Sequence, residues 1–210
     1  MAIHVLPDQL AAQIAAGEVI ERPASVVKEL LENALDAGAS SINVEVRDGG
    51  KRFVRVTDNG SGIPTGEVEL AFVHHATSKL SSVEDLFAIN TLGFRGEALP
   101  SIAAVSQVTL LTQCSGDPVG AELKLNAGRI TSRAMRVTPT GTVVTVENLF
   151  HNTPARLKFL KSTTTESSRI HELVNRFALA YPNVRFGLSI EGRLVFQTAG
   201  NGEMNDVLIA

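Results

Sequence analysis

A polar face on one predicted helix, between residues 26 and 39, carries the first residues that could do chemistry. Apolar residues recur there at helical spacing and fill half of the helical wheel. The opposite half carries Glu29, Glu32, Asn33 and Asp36. Three acids with only Lys28 nearby repel one another unless a cation or solvent relieves the charge. The face is therefore a candidate metal site, and the ordinary alternative is a solvated surface of an amphipathic helix.

Two glycine loops add further candidate binding groups. The stretch Asp58-Asn59-Gly60-Ser61-Gly62 follows a predicted strand, and its carboxylate could accept a hydrogen bond from an exocyclic amine such as that of adenine. The stretch Gly93-Phe94-Arg95-Gly96-Glu97 precedes a predicted helix, where free amides and the helix dipole favour phosphate. Lys79, in Thr77-Ser78-Lys79, could neutralise a phosphate. Taken singly, a plain turn explains the first loop better than a binding site does, and a helix lead-in and a solvated lysine are the ordinary explanations of the other two features.

Several common signatures are absent from the sequence. It contains no G-x-x-x-x-G-K-[ST] loop, and Gly60-Ser61-Gly62 continues into Pro64 and fails the dinucleotide pattern. His171-Glu172 lacks the second histidine of a zinc-protease helix. His74 and His75 are adjacent, so local hydrogen bonding or solvent exposure explains them better than a shared metal.

Composition limits the class of protein. The chain has 210 residues, 44% of them hydrophobic and 20% charged, which fits one globular domain or one domain plus the beginning of another. The net charge of -3 argues against nucleic-acid binding by charge over the whole surface. No apolar run is long enough to span a bilayer, and the single Cys114 suits a reducing compartment. We therefore expect a cytoplasmic protein with no membrane partner.

The hydrophobic pattern predicts an α+β fold. Predicted helices cover 8–17, 23–38, 64–73, 98–103 and 168–180, with another starting at 204. We expect Ser25 to cap the second helix, Gly17 and Gly38 to end the first two, and residues 163–165 to form a polar loop. Predicted strands cover 42–46, 53–56, 107–112, 121–125, 130–137, 142–149, 184–190 and 194–198. These elements indicate a two-layer sandwich, with a mostly antiparallel mixed sheet and helices on one face. We expect one main domain over 1–200 and the start of a following domain or linker over 201–210.

Several exact motifs, taken in order, resemble one family closely. They are Gln13-Ile14-Ala15-Ala16-Gly17-Glu18-Val19-Ile20, Arg22-Pro23-Ala24-Ser25-Val26-Val27-Lys28-Glu29-Leu30, the DNGSGI loop, His75-Ala76-Thr77-Ser78-Lys79, Gly93-Phe94-Arg95-Gly96-Glu97-Ala98-Leu99 and Asn152-Thr153-Pro154-Ala155-Arg156. The order is that of the ATPase superfamily of gyrase B, the large heat-shock chaperone, histidine kinases and MutL. The chain resembles the N-terminal ATPase domain of the MutL mismatch-repair family, which implies the left-handed-crossover ATPase fold of that superfamily.

The resemblance implies roles for residues that the motifs contain. Glu29 is expected to be the general base, Asn33 to bind Mg²⁺, and Asp58 to fix adenine with Thr142 supporting it through a water. The family's remaining nucleotide-binding positions fall on Gly60, Gly62, Thr77, Ser78, Lys79, Gly93, Phe94, Arg95, Gly96, Glu97, Ala98 and Leu99. The last seven are expected to wrap the phosphates of ATP, and residues 77–79 to belong to a lid that orders when ATP binds.

The resemblance also implies a biological role. ATP binding is expected to drive homodimerisation and to coordinate a mismatch-recognition protein with downstream nicking and helicase factors. Members of the family complete the γ-phosphate site with a lysine from a following domain, so we expect this chain to bind nucleotide weakly, hydrolyse it slowly and dimerise poorly. Pro100 stands where the family pattern favours a small residue.

Three alternatives remain open at the level of sequence. A histidine kinase catalytic domain shares the fold, but Glu29 argues for hydrolysis. A nucleotide-gated scaffold, in which turnover only resets a switch, is a second interpretation. Weak, non-specific DNA binding is a third, through Arg156, Lys158, Lys161, Arg169 and Arg176.

Overall fold

The computed structural model describes residues 7–79, 91–93 and 96–209. Its α-helices are α1 (Asp8–Val19), α2 (Pro23–Asp36), α3 (Ala98–Ala104), α4 (Pro154–Phe159), α5 (Thr163–Ala180) and α6 (Met204–Ile209). Its strands are β1 (Ser41–Arg47), β2 (Phe53–Asp58), β3 (Gln107–Gln113), β4 (Gly120–Asn126), β5 (Arg129–Arg136), β6 (Gly141–Glu147), β7 (Arg185–Ile190) and β8 (Arg193–Gln197). Short 3-10 turns lie at Asp48–Gly50 and Leu70–Phe72.

One sheet joins all eight strands of the described residues, in the order β5-β4-β3-β6-β2-β1-β7-β8. Neighbours are antiparallel except β1 and β7, which run parallel because the chain returns to the sheet through α5. In the centre of the sheet, Asp58 at the end of β2 pairs in register with Thr142 at the start of β6. The sheet therefore brings two predicted site residues together across 84 residues of sequence.

The core lies between one face of the sheet and the helices. Strand β1 alternates buried and more exposed residues, as expected when one face packs and the other meets solvent. Helix α2 packs its apolar side against β1 and β2, and α5 packs against β7. The polar side of α2 is left free to line a cleft. The predicted α+β sandwich with a mostly antiparallel sheet is confirmed.

Two predicted details of the first helices are wrong. Helix α1 does not end at Gly17 but continues to Val19. The Arg156 guanidinium packs against Gly17, in the space that a side chain there would occupy. Ser25 does not cap α2, because Pro23 occupies the first helical turn and Arg22 is the N-cap residue.

The end of α2 follows the sequence prediction. Gly38 has φ +71, and its amide donates to the carbonyl of Leu35 while the amide of Ala39 donates to that of Ala34. This is a Schellman motif, in which glycine accepts the left-handed conformation that other residues resist. It turns the chain sharply from α2 into β1.

Two further predictions differ from the structure. Residues 64–73 form turns and a short 3-10 helix, because Val68 is the one buried apolar residue there and no stripe exists to hold a regular helix. The predicted polar loop at 163–165 is the first turn of α5, which the Ser162 side chain caps by accepting from the amide of Thr165. Helix α4 was not predicted.

Helix α6 packs against α5 through the buried Val207. The domain boundary near residue 200 stays a prediction, as does cytoplasmic localisation. No helix among the described residues has both the length and the apolar character that crossing a bilayer requires.

Candidate functional site

A cleft of about 1190 Å³ lies beside the polar face of α2. Its walls come from α2, the end of β2, the segments 61–79, 91–93 and 96–100, and the start of β6. The predicted site residues that line it are Glu29, Asn33, Asp58, Gly62, Thr77, Ser78, Lys79, Gly93, Gly96, Glu97, Ala98, Leu99 and Thr142. Gly60 packs against the end of α2, next to the cleft. Phe94 and Arg95 lie outside the described residues.

The acidic half of the cleft holds Glu29. The ammonium of Lys28 lies 3.1 Å from Glu29 Oε1 and 2.8 Å from Glu32. Burial would lower the pKa of Lys28, but its hydrogen bonds to and charge pairing with the two glutamates outweigh this and raise the pKa above its ordinary value. Glu29 is 21% exposed, so its carboxylate keeps access to the cleft.

Asp36 makes three hydrogen bonds within the cleft, whereas the sequence pattern placed it only among the acids of a candidate metal-binding face. Its Oδ1 accepts from the amide of Leu92 at 2.9 Å, and its Oδ2 accepts from the amide of Gly93 at 3.1 Å and from Lys79 Nζ at 2.6 Å. Burial would raise its pKa, but these hydrogen bonds and the lysine charge together lower it. Its spacing of three residues from Asn33 was the available signal, since that spacing places both on one helix face.

Asn33 already contacts a cation. Lys79 Nζ donates to Asn33 Oδ1 at 3.1 Å, so the amide oxygen points into the cleft and acts as an acceptor for positive charge. Mg²⁺ takes oxygen ligands and is commonly held by one or two protein groups together with phosphate oxygens and water. A single amide oxygen beside a carboxylate fits that pattern. Among the described residues no three His, Cys, Asp or Glu side chains cluster as a separate metal site.

Asp58 lies at the opposite end of the cleft. Its Oδ1 accepts from the amide of Gly60 at 2.8 Å. Burial raises the pKa of Asp58, and hydrogen bonds from the backbone of Gly60 and Thr142 only partly offset that effect. The Thr142 hydroxyl lies 3.1 Å from that of Thr112, which also accepts from the amide of Ile63 at 2.9 Å. The carboxylate is therefore desolvated, oriented and available to a donor.

Close packing of backbone segments explains both glycines of the Asp58 loop. A side chain at Gly60 would meet Ala37 at the end of α2, where the amide of Ser61 donates to the Ala37 carbonyl at 2.9 Å. Gly62 has φ +74, and a side chain there would overlap the carbonyl of Gln113 at the end of β3. The loop is thus held between α2 and β3.

The two glycines that bound the second glycine loop are each held by a contact. Gly93 is held by Asp36, and Gly96, at φ +63, packs so closely on the carbonyl of Ala76 that a side chain would not fit. Glu97 Oε2 lies 2.7 Å from His74 Nδ1, and its Oε1 lies 2.8 Å from His75 Nδ1. His74 is therefore hydrogen-bonded and His75 is 88% exposed, which agrees with the hydrogen bonding or solvent exposure favoured from sequence, but the partner of His74 lies 23 residues away and is not local.

The five basic residues considered for DNA binding are largely engaged elsewhere. Arg156 Nη1 donates to the carbonyl of Ile20 at 3.3 Å. Arg169 lies 3.4 Å from the buried Glu166, and Arg176 lies 2.5 Å from Glu172. Three of the five therefore make intramolecular contacts.

Comparison with known proteins gives the family. The family model described as "Histidine kinase-, DNA gyrase B-, and HSP90-like ATPase" matches residues 20–153. The DNA mismatch repair protein MutL of Shouchella clausii is 52% identical over 206 residues, which are 98% of this chain and 31% of that protein. MutL of Streptococcus pneumoniae is 54% identical over 203 residues, again 31% of its length. The chain thus spans about a third of the length of the curated relatives it matches.

A solved structure agrees with the sequence relatives. The Aquifex aeolicus MutL ATPase domain complexed with ADP superposes with a TM-score of 0.73 and 35% identity, covering 90% of this chain and 68% of that one. A second structure, the N-terminal domain of a DNA repair protein, gives a TM-score of 0.82 at 29% identity. The chain therefore belongs to the histidine kinase, gyrase B and HSP90-like ATPase family and, within it, to the MutL ATPase domains.

Proposed function

We propose that the cleft binds ATP together with Mg²⁺ and hydrolyses it slowly, as the nucleotide-dependent switch of a mismatch-repair protein. The observation that carries this proposal is the convergence of Asp58, Asn33 and the loop at Gly93 on one cleft of about 1190 Å³. These residues are far apart in sequence and supply the three kinds of group that a nucleotide needs. The solved MutL relative that is complexed with ADP supports a nucleotide as the ligand.

The base of the nucleotide is assigned to the Asp58 end. A desolvated carboxylate fixed by the amide of Gly60 is a strong acceptor for the exocyclic amine of adenine. Thr142 lies opposite Asp58 in the sheet and can support the same group through water. Guanine presents a carbonyl at the corresponding ring position, so a carboxylate there discriminates against GTP.

The phosphates are assigned to the opposite end of the cleft. Backbone amides close to Gly93 and Gly96 can donate to phosphate oxygens. A side chain at Gly96 would overlap the carbonyl of Ala76, and one at Gly93 would begin 3.3 Å from Lys79 Nζ. Residues 96–99 and 77–79 lie around the same space. Asn33 would hold Mg²⁺, which neutralises charge on the phosphates when it is bound.

Glu29 is assigned as the general base. It lies one turn before Asn33 on the same helix face, so its carboxylate is placed to orient a water and take its proton during attack on the γ-phosphorus. The neighbouring Lys28 holds the carboxylate in place at 3.1 Å. A water-activating carboxylate favours hydrolysis over transfer of phosphate to a partner histidine.

In the whole protein, we propose that ATP binding rearranges the lid at residues 77–79 into its nucleotide-bound conformation and promotes a homodimer. That dimer would link a mismatch-recognition protein to nicking and helicase factors. We assign residues 1–200 to the ATPase domain. Completion of the phosphate site by a lysine from a following domain would make this chain alone a weak binder and a slow ATPase.

The test is calorimetric binding of a non-hydrolysable ATP analogue to the chain, in Mg²⁺ and in EDTA. We expect Mg²⁺-dependent binding, no comparable binding of the GTP analogue, and loss of binding in Asp58→Asn. Glu45→Gln is the matched control, because it makes the same kind of change on the outer face of the sheet. Equal binding of both nucleotides, or unchanged binding in Asp58→Asn, would refute the adenine assignment. Absence of binding by this chain and by a full-length protein alike would refute the ligand.

A further inference from the structure

The side chain of Lys79 places its ammonium against the polar face of α2. Its Nζ donates to Asn33 Oδ1 at 3.1 Å and to Asp36 Oδ2 at 2.6 Å. Lys79 is 21% exposed and Asp36 is 8% exposed, so the contact is sheltered from solvent. A side chain at Gly93 would begin 3.3 Å from Nζ, which shows how closely the glycine loop covers the ammonium.

The Lys79 ammonium is hydrogen-bonded to Asn33 Oδ1, the same oxygen that we assign as a ligand of Mg²⁺. A divalent cation bound to Asn33 Oδ1 would lie at roughly 2.0–2.1 Å from it. The Lys79 charge, hydrogen-bonded to the same oxygen, would then lie only a few ångströms away and repel it strongly in a sheltered cleft. Asp36 supplies a negative charge beside Asn33, and its Oδ2 is paired with Lys79.

We propose that Lys79, held on Asn33 and Asp36, competes with the divalent cation for Asn33 and must leave Asn33 before Mg²⁺ can bind. The proposal rests on the proposed function, because it takes Asn33 as the metal ligand. Phosphates entering the cleft supply the negative charge that Lys79 needs on leaving Asp36. Metal and nucleotide therefore bind together, and the free protein does not hold Mg²⁺ in an empty cleft. Lys79 is a positioning residue that controls when the cation enters.

Binding of Mn²⁺ without nucleotide tests this directly, followed by electron paramagnetic resonance. We expect weak binding to the unmodified chain and about tenfold or more tighter binding to Lys79→Met, since the substitution removes a like charge beside the site. Lys124→Met is the charge-matched control, because Lys124 lies on β4 and pairs with Glu122. Adding Asn33→Ala to Lys79→Met should abolish the gain and so place the new Mn²⁺ site at Asn33.

A second measurement needs no variant. In the absence of nucleotide, acetylation of Lys79 should be slower than acetylation of the more exposed Lys124, and Mg²⁺ alone should not accelerate it.

Equal Mn²⁺ affinity in Lys79→Met and the unmodified chain would overturn the proposal, and so would release of Lys79 by Mg²⁺ alone. Calorimetric binding of the ATP analogue to the unmodified chain distinguishes failure of this inference from failure of the proposed function. If the analogue binds and Lys79→Met gains no Mn²⁺, then the inference fails while the proposed function stands.

Discussion

The carboxylate of Asp36 accepts a hydrogen bond from the backbone amide of Gly93 at 3.1 Å, joining the last turn of α2 to a loop 57 residues later. The other carboxylate oxygen accepts from the amide of Leu92 at 2.9 Å. A glycine loop has little tendency to hold one conformation by itself. The conformation of this part of the phosphate loop is therefore set by a side chain on the helix that also carries Glu29 and Asn33.

We expect Asp36→Ala to loosen the loop at Leu92 and Gly93. Loss of a sheltered charged acceptor should lower the free energy of unfolding by about 2 kcal/mol. Hydrogen exchange at the amides of Leu92 and Gly93 should accelerate, and nucleotide affinity should fall. Asp36→Asn keeps an acceptor and should lose less. Unchanged exchange at both amides in Asp36→Ala would show that the loop holds its conformation without Asp36.

The pH dependence of stability should also report on Asp36. Its pKa is lowered in the folded protein, so ionised Asp36 stabilises the fold above its ordinary pKa of 3.8. That contribution is lost as pH falls below 3.8 and through the lowered folded pKa. The stability difference between the unmodified chain and Asp36→Asn should therefore be constant at neutral pH and should narrow in strong acid. Urea unfolding over a pH series measures it.

The pH dependence of stability that Asp58 contributes should have the opposite sign to that of Asp36. Burial raises its pKa in the folded protein, so the ionised carboxylate costs stability at neutral pH, and this cost disappears as pH falls through the raised folded pKa toward 3.8. The unmodified chain should therefore gain stability relative to Asp58→Asn over that interval. The measurement is thermal unfolding of both proteins from pH 7 to pH 4, and a difference independent of pH would contradict the raised pKa.

The polar face of α2 was visible in the sequence because helical spacing is a local property. Glu29 and Asn33 are four residues apart and must share a face once the apolar pattern fixes the helix. The role of Asp36 could not be read in the same way, because its partners Leu92 and Gly93 are brought to it only by tertiary packing. The sequence pattern placed Asp36 on the polar face, but it did not reveal the hydrogen bonds from the amides of Leu92 and Gly93.

Gly17 is a second position at which the local sequence pattern did not reveal a tertiary contact. Glycine near the expected end of a helix is usually a stop signal. Here its small size admits Arg156, which comes from α4 and was itself interpreted as a possible DNA contact. The packing of Arg156 against Gly17 therefore accompanies a helix that continues past Gly17, and it leaves Arg156 less available for the predicted contact with DNA.

Gly62 and Gly38 form a matched pair for testing backbone packing at the nucleotide loop. Both have positive φ, +74 and +71, but a side chain at Gly38 would meet nothing within 4 Å, whereas one at Gly62 would overlap the carbonyl of Gln113. Gly38→Ala should lower the free energy of unfolding by about 1 kcal/mol, from backbone strain alone. Gly62→Ala should lower it by about 3 kcal/mol, because steric overlap adds to the strain.

The same two variants distinguish an effect on protein stability from an effect on nucleotide binding. Gly62→Ala must displace the loop that follows Asp58 and should weaken binding of the ATP analogue, whereas Gly38→Ala should leave binding unchanged. Urea unfolding and calorimetry provide the two measurements. Equal losses of stability in the two variants would show that the loop at Gly62 moves away from β3 without cost.

Glu29 and Glu32 offer a test of the catalytic assignment within a single helix turn. Both pair with Lys28, at 3.1 Å and 2.8 Å, and both line the cleft, so the two substitutions change charge and packing in similar ways. Glu29→Gln should keep nucleotide binding and lose about 10²- to 10⁴-fold in turnover, because an amide cannot take the proton of the attacking water. Glu32→Gln should lose little, because Glu32 lies away from the four-residue spacing that stacks Glu29 above Asn33.

Single-turnover hydrolysis with protein in excess over ATP is the measurement that suits a slow enzyme. It reports the chemical step and is insensitive to product release. Equal losses in the two variants would indicate that the acidic face acts through its total charge. Retained turnover in Glu29→Gln with a loss in Glu32→Gln would move the base to Glu32. A loss confined to Glu29→Gln is expected, since only that carboxylate shares a stacked position with the proposed metal ligand.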